Sequence, residues 1–219
     1  MTPPSPRLLD VSPVIPVVTI SDPAHAVPVA RALLSGGIPI IELTLRTQPA
    51  LEGLSAIAAE VPEILPGAGS VLTPQQADLA IEHGARFLVS PGASKSLLHH
   101  LVRIGVPVLP GVATVSEMLT ALDYGLTELK FFPAGPAGGP AYLAAVASPV
   151  PQLRFCPTGG VTLENMADYL ALPNVGAVGG SWITSAKDLA EQNWRRVSML
   201  ARDARRLAEA SSRDTSTVD

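Results

Sequence analysis

The sequence predicts an α/β fold, a (β/α)8 or TIM barrel in a single domain, on three observations. Eight short apolar runs alternate with stretches of helical periodicity, successive runs beginning roughly 20 to 26 residues apart, which is the alternation of a parallel sheet. The runs are continuously apolar, as expected for strands covered on both sides. The competing open, doubly wound sheet places a glycine fingerprint after its first strand. This chain reads Ile20-Ser21-Asp22-Pro23 there. Its 219 residues lie toward the short end for eight units, and 47% hydrophobic content can fill the core.

In order, a Pro-rich lead-in gives way to a strand over Val14–Thr19. Asp22-Pro23 opens a helix holding Ala26, Val29, Ala30, Leu33 and Leu34, closed by Ser35-Gly36-Gly37. Ile38–Leu43 is the second strand, with a helix through Leu51, Leu54, Ile57 and Ala58. Ile64–Ser70 is the third, and Thr73-Pro74 starts its helix as N-cap and first helical residue. Arg86–Ser90 is the fourth, with a helix over Leu97, Leu98, Leu101 and Ile104 that stops at Gly105. Val106–Gly111 is the fifth, followed by a helix from Val115 to Asp123. Leu129–Phe132, Arg154–Cys156 and Val175–Val178 complete the eight. The closing helices are expected over 186–210. Residues 1–210 are thus the expected barrel domain, and 211–219 a polar, mobile tail.

Composition narrows the function. A net charge of -4 with no basic cluster ahead of the last helix leaves no nucleic-acid footprint. A lone cysteine, Cys156, excludes an internal disulfide and suits a reducing compartment. Neither a signal peptide nor an apolar stretch of membrane-spanning length is legible, so the expectation is a cytoplasmic protein without a membrane partner.

The most telling stretch is Glu128-Leu-Lys-Phe-Phe-Pro133, a buried strand with one lysine in it. An ammonium in apolar surroundings must be paired or lose its proton. The ordinary alternative is a lysine that snorkels to the strand end or meets a carboxylate. Usage favours chemistry: the chain has three lysines against twelve arginines, and arginine cannot serve as a neutral amine nucleophile. Lys130 is the candidate Schiff-base former.

Barrel chemistry sits where strands run out into the loops that follow them. Those positions are Thr19; Glu42, Thr44 and Arg46; Ser70; Ser90-Pro91; Thr114; Lys130 and Phe132; Thr158; and Gly180-Ser181. His25, His83, His99 and His100 fall on the outer helices instead. Glu42 and Arg46 either form a buried ion pair or both act, the carboxylate moving protons and the guanidinium gripping a substrate carboxylate. The glycine pairs of Pro157-Thr-Gly-Gly-Val161 and Gly179-Gly-Ser-Trp-Ile183 end adjacent strands at the corner where such barrels bind phosphate through backbone N–H groups.

These stretches resemble the bacterial 2-keto-3-deoxy-6-phosphogluconate (KDPG) and 4-hydroxy-2-oxoglutarate aldolases. The resemblance rests on Glu42-Leu-Thr-Leu-Arg46, Gly67-Ala-Gly-Ser-Val-Leu72, Ser90-Pro-Gly92, Pro110-Gly111, Thr114-Val-Ser-Glu117, Leu129-Lys-Phe-Phe-Pro-Ala134, Arg154-Phe-Cys-Pro-Thr-Gly-Gly-Val161 and Gly179-Gly-Ser-Trp182. It implies a class I aldolase without metal or cofactor, a homotrimer of the Entner–Doudoroff pathway that cleaves KDPG to pyruvate and glyceraldehyde 3-phosphate. It further implies that Lys130 forms the imine and Glu42 moves protons. Arg46 and Ser70 hold the pyruvyl carboxylate, and Pro91 and Phe132 wall the pyruvyl pocket. Thr158 lies beside the C4 hydroxyl, with Gly159, Gly160, Gly180 and Ser181 toward the phosphate.

Two departures stand out. Many relatives carry a basic residue in the loop after the first strand, where this chain has none, so cleavage of 4-hydroxy-2-oxoglutarate is expected as well. Ser70 stands where threonine is common. The rivals are an aldolase for the galactonate epimer, another phosphate-binding barrel such as an epimerase, and a non-catalytic sugar-phosphate-binding barrel. Thr158 argues against the first, and the absence of His or Asp ligands at strand ends against a metal-dependent epimerase.

Overall fold

The computed structural model describes residues 7–214, and side chains up to residue 211. Nine strand segments run in parallel: β1 (Val14–Val18), β2 (Ile40–Thr44), β3 (Leu65–Gly69), β4 (Leu88–Val89), β5 (Val108–Leu109), β6 (Gly111–Val112), β7 (Glu128–Phe131), β8 (Arg154–Pro157) and β9 (Val178–Gly180). They form two arcs, β5-β4-β3-β2-β1-β9 and β6-β7-β8. At one seam β5 and β6 are a single barrel strand interrupted by Pro110, which has no N–H to give the ladder. At the other, isolated parallel bridges Phe155↔Val175 and Thr158↔Gly179 join β8 to the last strand. The eight-strand barrel expected from sequence is therefore the fold, its ladder weakest at these two seams.

The helices are α1 (Ala26–Ser35), α2 (Ala50–Glu60), α3 (Pro74–Glu82), α4 (Lys95–Leu101), α5 (Val115–Asp123), α6 (Gly139–Ala147), α7 (Met166–Leu170), α8 (Ala186–Ala190) and α9 (Trp194–Asp214). Local chemistry sets their starts. Thr73 accepts from Gln76 N–H, Ser94 from Leu97 N–H, and Thr114 and Glu117 form a reciprocal capping box. α9 continues through Asp214, four residues into the stretch expected to be tail, because Ala201, Ala204 and Ala208 keep its apolar stripe buried against the barrel. Residues 215–219 and the lead-in 1–6 lie outside the described residues.

Strand alternation divides the core. Leu129, Phe131 and Phe155 point outward to the helices, where Phe131 stacks on Tyr142 of α6 at 5.3 Å. Glu128, Lys130, Arg154 and Cys156 have the opposite parity and belong to the inside. One short helix, Leu8–Asp10, was not foreseen. It closes the barrel floor: Leu8 N–H donates to Glu128 Oε2 at 2.9 Å, and Arg154 bridges Glu128 at 3.2 Å and Asp10 at 2.7 Å. Leu8 and Leu9 are buried there.

Candidate active site

The site is built on β2 and β7, on opposite sides of the barrel wall. Glu42 is in register with Val17 on one neighbour and Gly67 on the other, while Lys130 is in register with Gly111 and Cys156. Across the interior, Lys130 Nζ donates to Glu42 Oε1 at 3.2 Å, with the two residues 4% and 3% exposed. Glu42 therefore pairs with Lys130, and the alternative Glu42–Arg46 ion pair does not form. Gly69 makes room for this arrangement, since a Cβ on it would overlap the Glu42 carboxylate. Above the amine, the Phe132 ring centroid lies 5.5 Å from Nζ.

Arg46 instead donates from Nε to Ser70 Oγ at 2.8 Å. Ser70 adopts φ +57°, a left-handed conformation uncommon outside glycine. That backbone turns its hydroxyl toward the guanidinium and leaves Arg46 Nη1 and Nη2 free of any hydrogen bond to the described residues. An unengaged pair of guanidinium N–H groups suits a planar carboxylate.

A cavity of about 320 Å3 opens above the pair. Arg46, Phe132, Thr158, Gly159, Gly160, Gly180 and Ser181 all line it. Lys130 and Glu42 lie buried outside its lining, Lys130 in reach of it through Phe132, and Ser70 joins through Arg46. Pro91 is not at the lining either. Its carbonyl packs on Gly111, the residue in register with Lys130. Gly159 and Gly160 have φ +92° and +85°, which a side chain would resist. A Cβ on Gly179 would overlap Thr158 Oγ1, so the glycine there fixes the threonine's place.

The cavity also takes in Thr19, Thr184, Ser185 and Ala186. Thr19 was legible as a strand end. Thr184 and Ser185 belong to the polar continuation of Gly180-Ser-Trp-Ile and carried no spacing rule. Cys156 packs inside, beside the pair. Burial pushes its thiol up to about 12, against the opposing pull of the Lys130 charge. The four histidines stay on the outer layer, for example His83 Nδ1 at 2.8 Å from Ser55 Oγ and His100 at 2.7 Å from Asp78.

This arrangement supplies an amine, a carboxylate within hydrogen-bond distance of it, an arginine whose free guanidinium fork suits a carboxylate, and a neutral glycine-rich corner. Comparison with known proteins agrees. Residues 7–200 match the family model described as KDPG and KHG aldolase. The KHG/KDPG aldolase of Escherichia coli (strain K12) is 47% identical over 197 residues, covering 90% of this chain and 92% of that protein. The crystal structure of KDPG aldolase from Legionella pneumophila, with pyruvate captured at low pH as a covalent carbinolamine intermediate, is 43% identical. It superposes with a TM-score of 0.88 over 90% of this chain and 96% of that one. The Zymomonas mobilis ZM4 enzyme with 3-phosphoglycerate is 42% identical, with a TM-score of 0.84 over 90% and 92%. With a buried lysine–glutamate pair at its centre and a family match running from the first strand into the last helix, this chain belongs to the KDPG and KHG aldolase family.

Proposed function

We propose that the chain is a class I aldolase that cleaves KDPG to pyruvate and glyceraldehyde 3-phosphate, and 4-hydroxy-2-oxoglutarate to pyruvate and glyoxylate. The observation that carries this reading is the 3.2 Å contact between Lys130 Nζ and Glu42 Oε1, buried under a cavity with a carboxylate-binding arginine. Lys130 passes a proton to Glu42, and the neutral amine attacks the C2 carbonyl carbon. The carbinolamine hydroxyl leaves as water, taking the proton held by Glu42, and an iminium remains. Glu42, again a carboxylate, removes the C4 hydroxyl proton. The C3–C4 bond breaks, its electron pair moves into the iminium, and the aldehyde departs. The resulting enamine takes a proton at C3 from Glu42. Water then hydrolyses the imine to release pyruvate and restore the amine.

Arg46, oriented by Ser70, grips the pyruvyl carboxylate. Phe132 walls the pyruvyl end, with Pro91 supporting the adjacent strand. Thr158 meets the C4 hydroxyl, and Gly159, Gly160, Gly180 and Ser181 face the far end of the substrate with backbone N–H groups and one hydroxyl. The same reading makes residues 1–210 one barrel domain of a cytoplasmic homotrimer. Exposed Leu72, Leu79, Val115 and Leu119 on and before α3 and α5 supply apolar surface for that assembly. Among the described residues no helix is long and apolar enough to cross a membrane.

The test is borohydride reduction in the presence of pyruvate, followed by peptide mass spectrometry. A reduced adduct confined to Lys130 is expected. Pyruvate binding without an adduct would overturn the Schiff-base mechanism and return the chain to the non-catalytic phosphate-binding barrels.

A further inference from the structure

We propose that the far end of this cavity takes a hydroxylated, unphosphorylated tail, giving the enzyme a further activity on 2-keto-3-deoxy aldonic acids that lack the 6-phosphate. The inference rests on the aldolase reading and concerns the cavity wall formed by Thr19, Thr158, Ser181, Thr184 and Ser185.

Charge is the first observation. Among the described residues Arg46 is the only cation lining the cavity, and it is engaged with Ser70 at the carboxylate end. The nearest candidates at the other end turn away. Lys187, which follows Ala186, extends along α8 toward Glu191 at 3.9 Å, and Arg196 pairs with the buried Asp188 at 3.3 Å. In the loop after β1, Asp22 uses its carboxylate to cap Ala24 N–H.

The second observation is where the hydroxyl protons go. Thr184 Oγ1 donates to Val17 O at 3.3 Å, and Thr158 Oγ1 to Cys156 O at 3.3 Å. Ser185 Oγ donates to Asp188 Oδ2 at 2.6 Å while accepting from Asp188 N–H at 3.1 Å. The Thr19 and Thr44 hydroxyls are hydrogen-bonded to each other at 2.7 Å, which uses one of their two protons. Of the hydroxyls on this wall, only that of Ser181 has no partner among the described residues. The wall therefore offers mostly lone pairs. A phosphate dianion is acceptor-only and gains nothing from lone pairs, whereas a sugar hydroxyl donates to them and still accepts from the glycine N–H groups. Backbone N–H groups of the glycine corner still bind phosphate, so KDPG remains a substrate, but without an opposing charge its advantage shrinks.

The experiment compares kcat/KM for KDPG and for its dephosphorylated form on the intact enzyme, alongside the pyruvate–borohydride adduct. With one or two charge-assisted contacts at stake, a ratio below about a hundredfold is expected. Replacing Ser185 by alanine removes one lone pair, and should raise the ratio by roughly tenfold. A normal Lys130 adduct with a ratio above several thousand overturns this inference and leaves the aldolase reading standing. A missing adduct overturns both. An adduct with no cleavage of the dephosphorylated acid also overturns the inference.

Discussion

Glu42 Oε1 stands 3.2 Å from Lys130 Nζ across the barrel, in a contact from which water is almost excluded. A buried ion pair is a weak source of stability, yet breaking one side leaves a lone charge in a place that cannot solvate it. Lys130→Met should therefore abolish imine formation and also destabilise the fold by about 3 kcal/mol or more. The double variant Lys130→Met/Glu42→Gln should regain part of that loss without regaining activity. Urea titration of the two variants checks this, and equal stability would show that Glu42 is not left stranded.

Glu42→Gln alone keeps the shape and removes the carboxylate proposed to carry the protons. It should lower kcat by about a hundred- to ten-thousandfold, the usual contribution of a general acid–base group. Stopped assays of pyruvate release measure it.

Gly69 fixes the carboxylate from behind, because any Cβ there would overlap it. Gly69→Ala should move Glu42 away from Lys130 and cost about a hundredfold in kcat, as expected for a displacement near 1 Å. A variant with wild-type kcat would mean that the carboxylate position tolerates movement.

Arg46→Lys keeps the charge but loses the planar fork. We expect KM for the keto acid to rise by roughly ten- to hundredfold with a smaller change in kcat. Ser70→Ala, which frees the guanidinium from its 2.8 Å partner, should show a weaker effect in the same direction.

Two carboxylates away from the chemistry shape stability with pH in opposite senses. Burial pushes the Glu128 carboxyl above its usual 4.5, outweighing the Leu8 N–H bond and Arg154. The folded state then holds the proton more tightly than the unfolded one. Its contribution is fully present below about 4.5 and is lost as pH rises through the raised value. Burial also acts to raise the Glu117 carboxyl, but hydrogen bonds from Ala113 N–H and from the hydroxyl and N–H of Thr114 prevail and hold it low. Its contribution is present above about 4.5 and lost as pH falls through the lowered value. Glu128→Gln should flatten the first slope and Glu117→Gln the second, read by Tm against pH.

Much of this was legible in the chain. The eight alternating strand–helix units, the burial of Lys130 in an apolar strand, the polar strand ends and the cap at Thr73 follow from short-range rules that need no knowledge of the tertiary contacts. The partner of Lys130 did not follow. Glu42 lies four residues from Arg46 and 88 from Lys130, and local spacing favours the wrong cation, since only closure of the barrel brings β2 and β7 face to face. The left-handed Ser70 and the hydroxyls of Thr184 and Ser185 were illegible for a related reason. Serine and threonine suit loops generally, and their proton partners are set by packing.

The short Leu8–Asp10 helix has a last consequence, for the order of events in turnover. With Leu8, Leu9, Glu128 and Arg154 sealing the floor, the barrel has a single mouth. On the imine mechanism proposed above, the carbon chain tethered to Lys130 would occupy the blind end, with the aldehyde between it and solvent. The two products must then leave in fixed sequence, aldehyde first and pyruvate last. In the synthetic direction pyruvate must load before the aldehyde, and excess aldehyde should act as a dead-end inhibitor by blocking the empty channel.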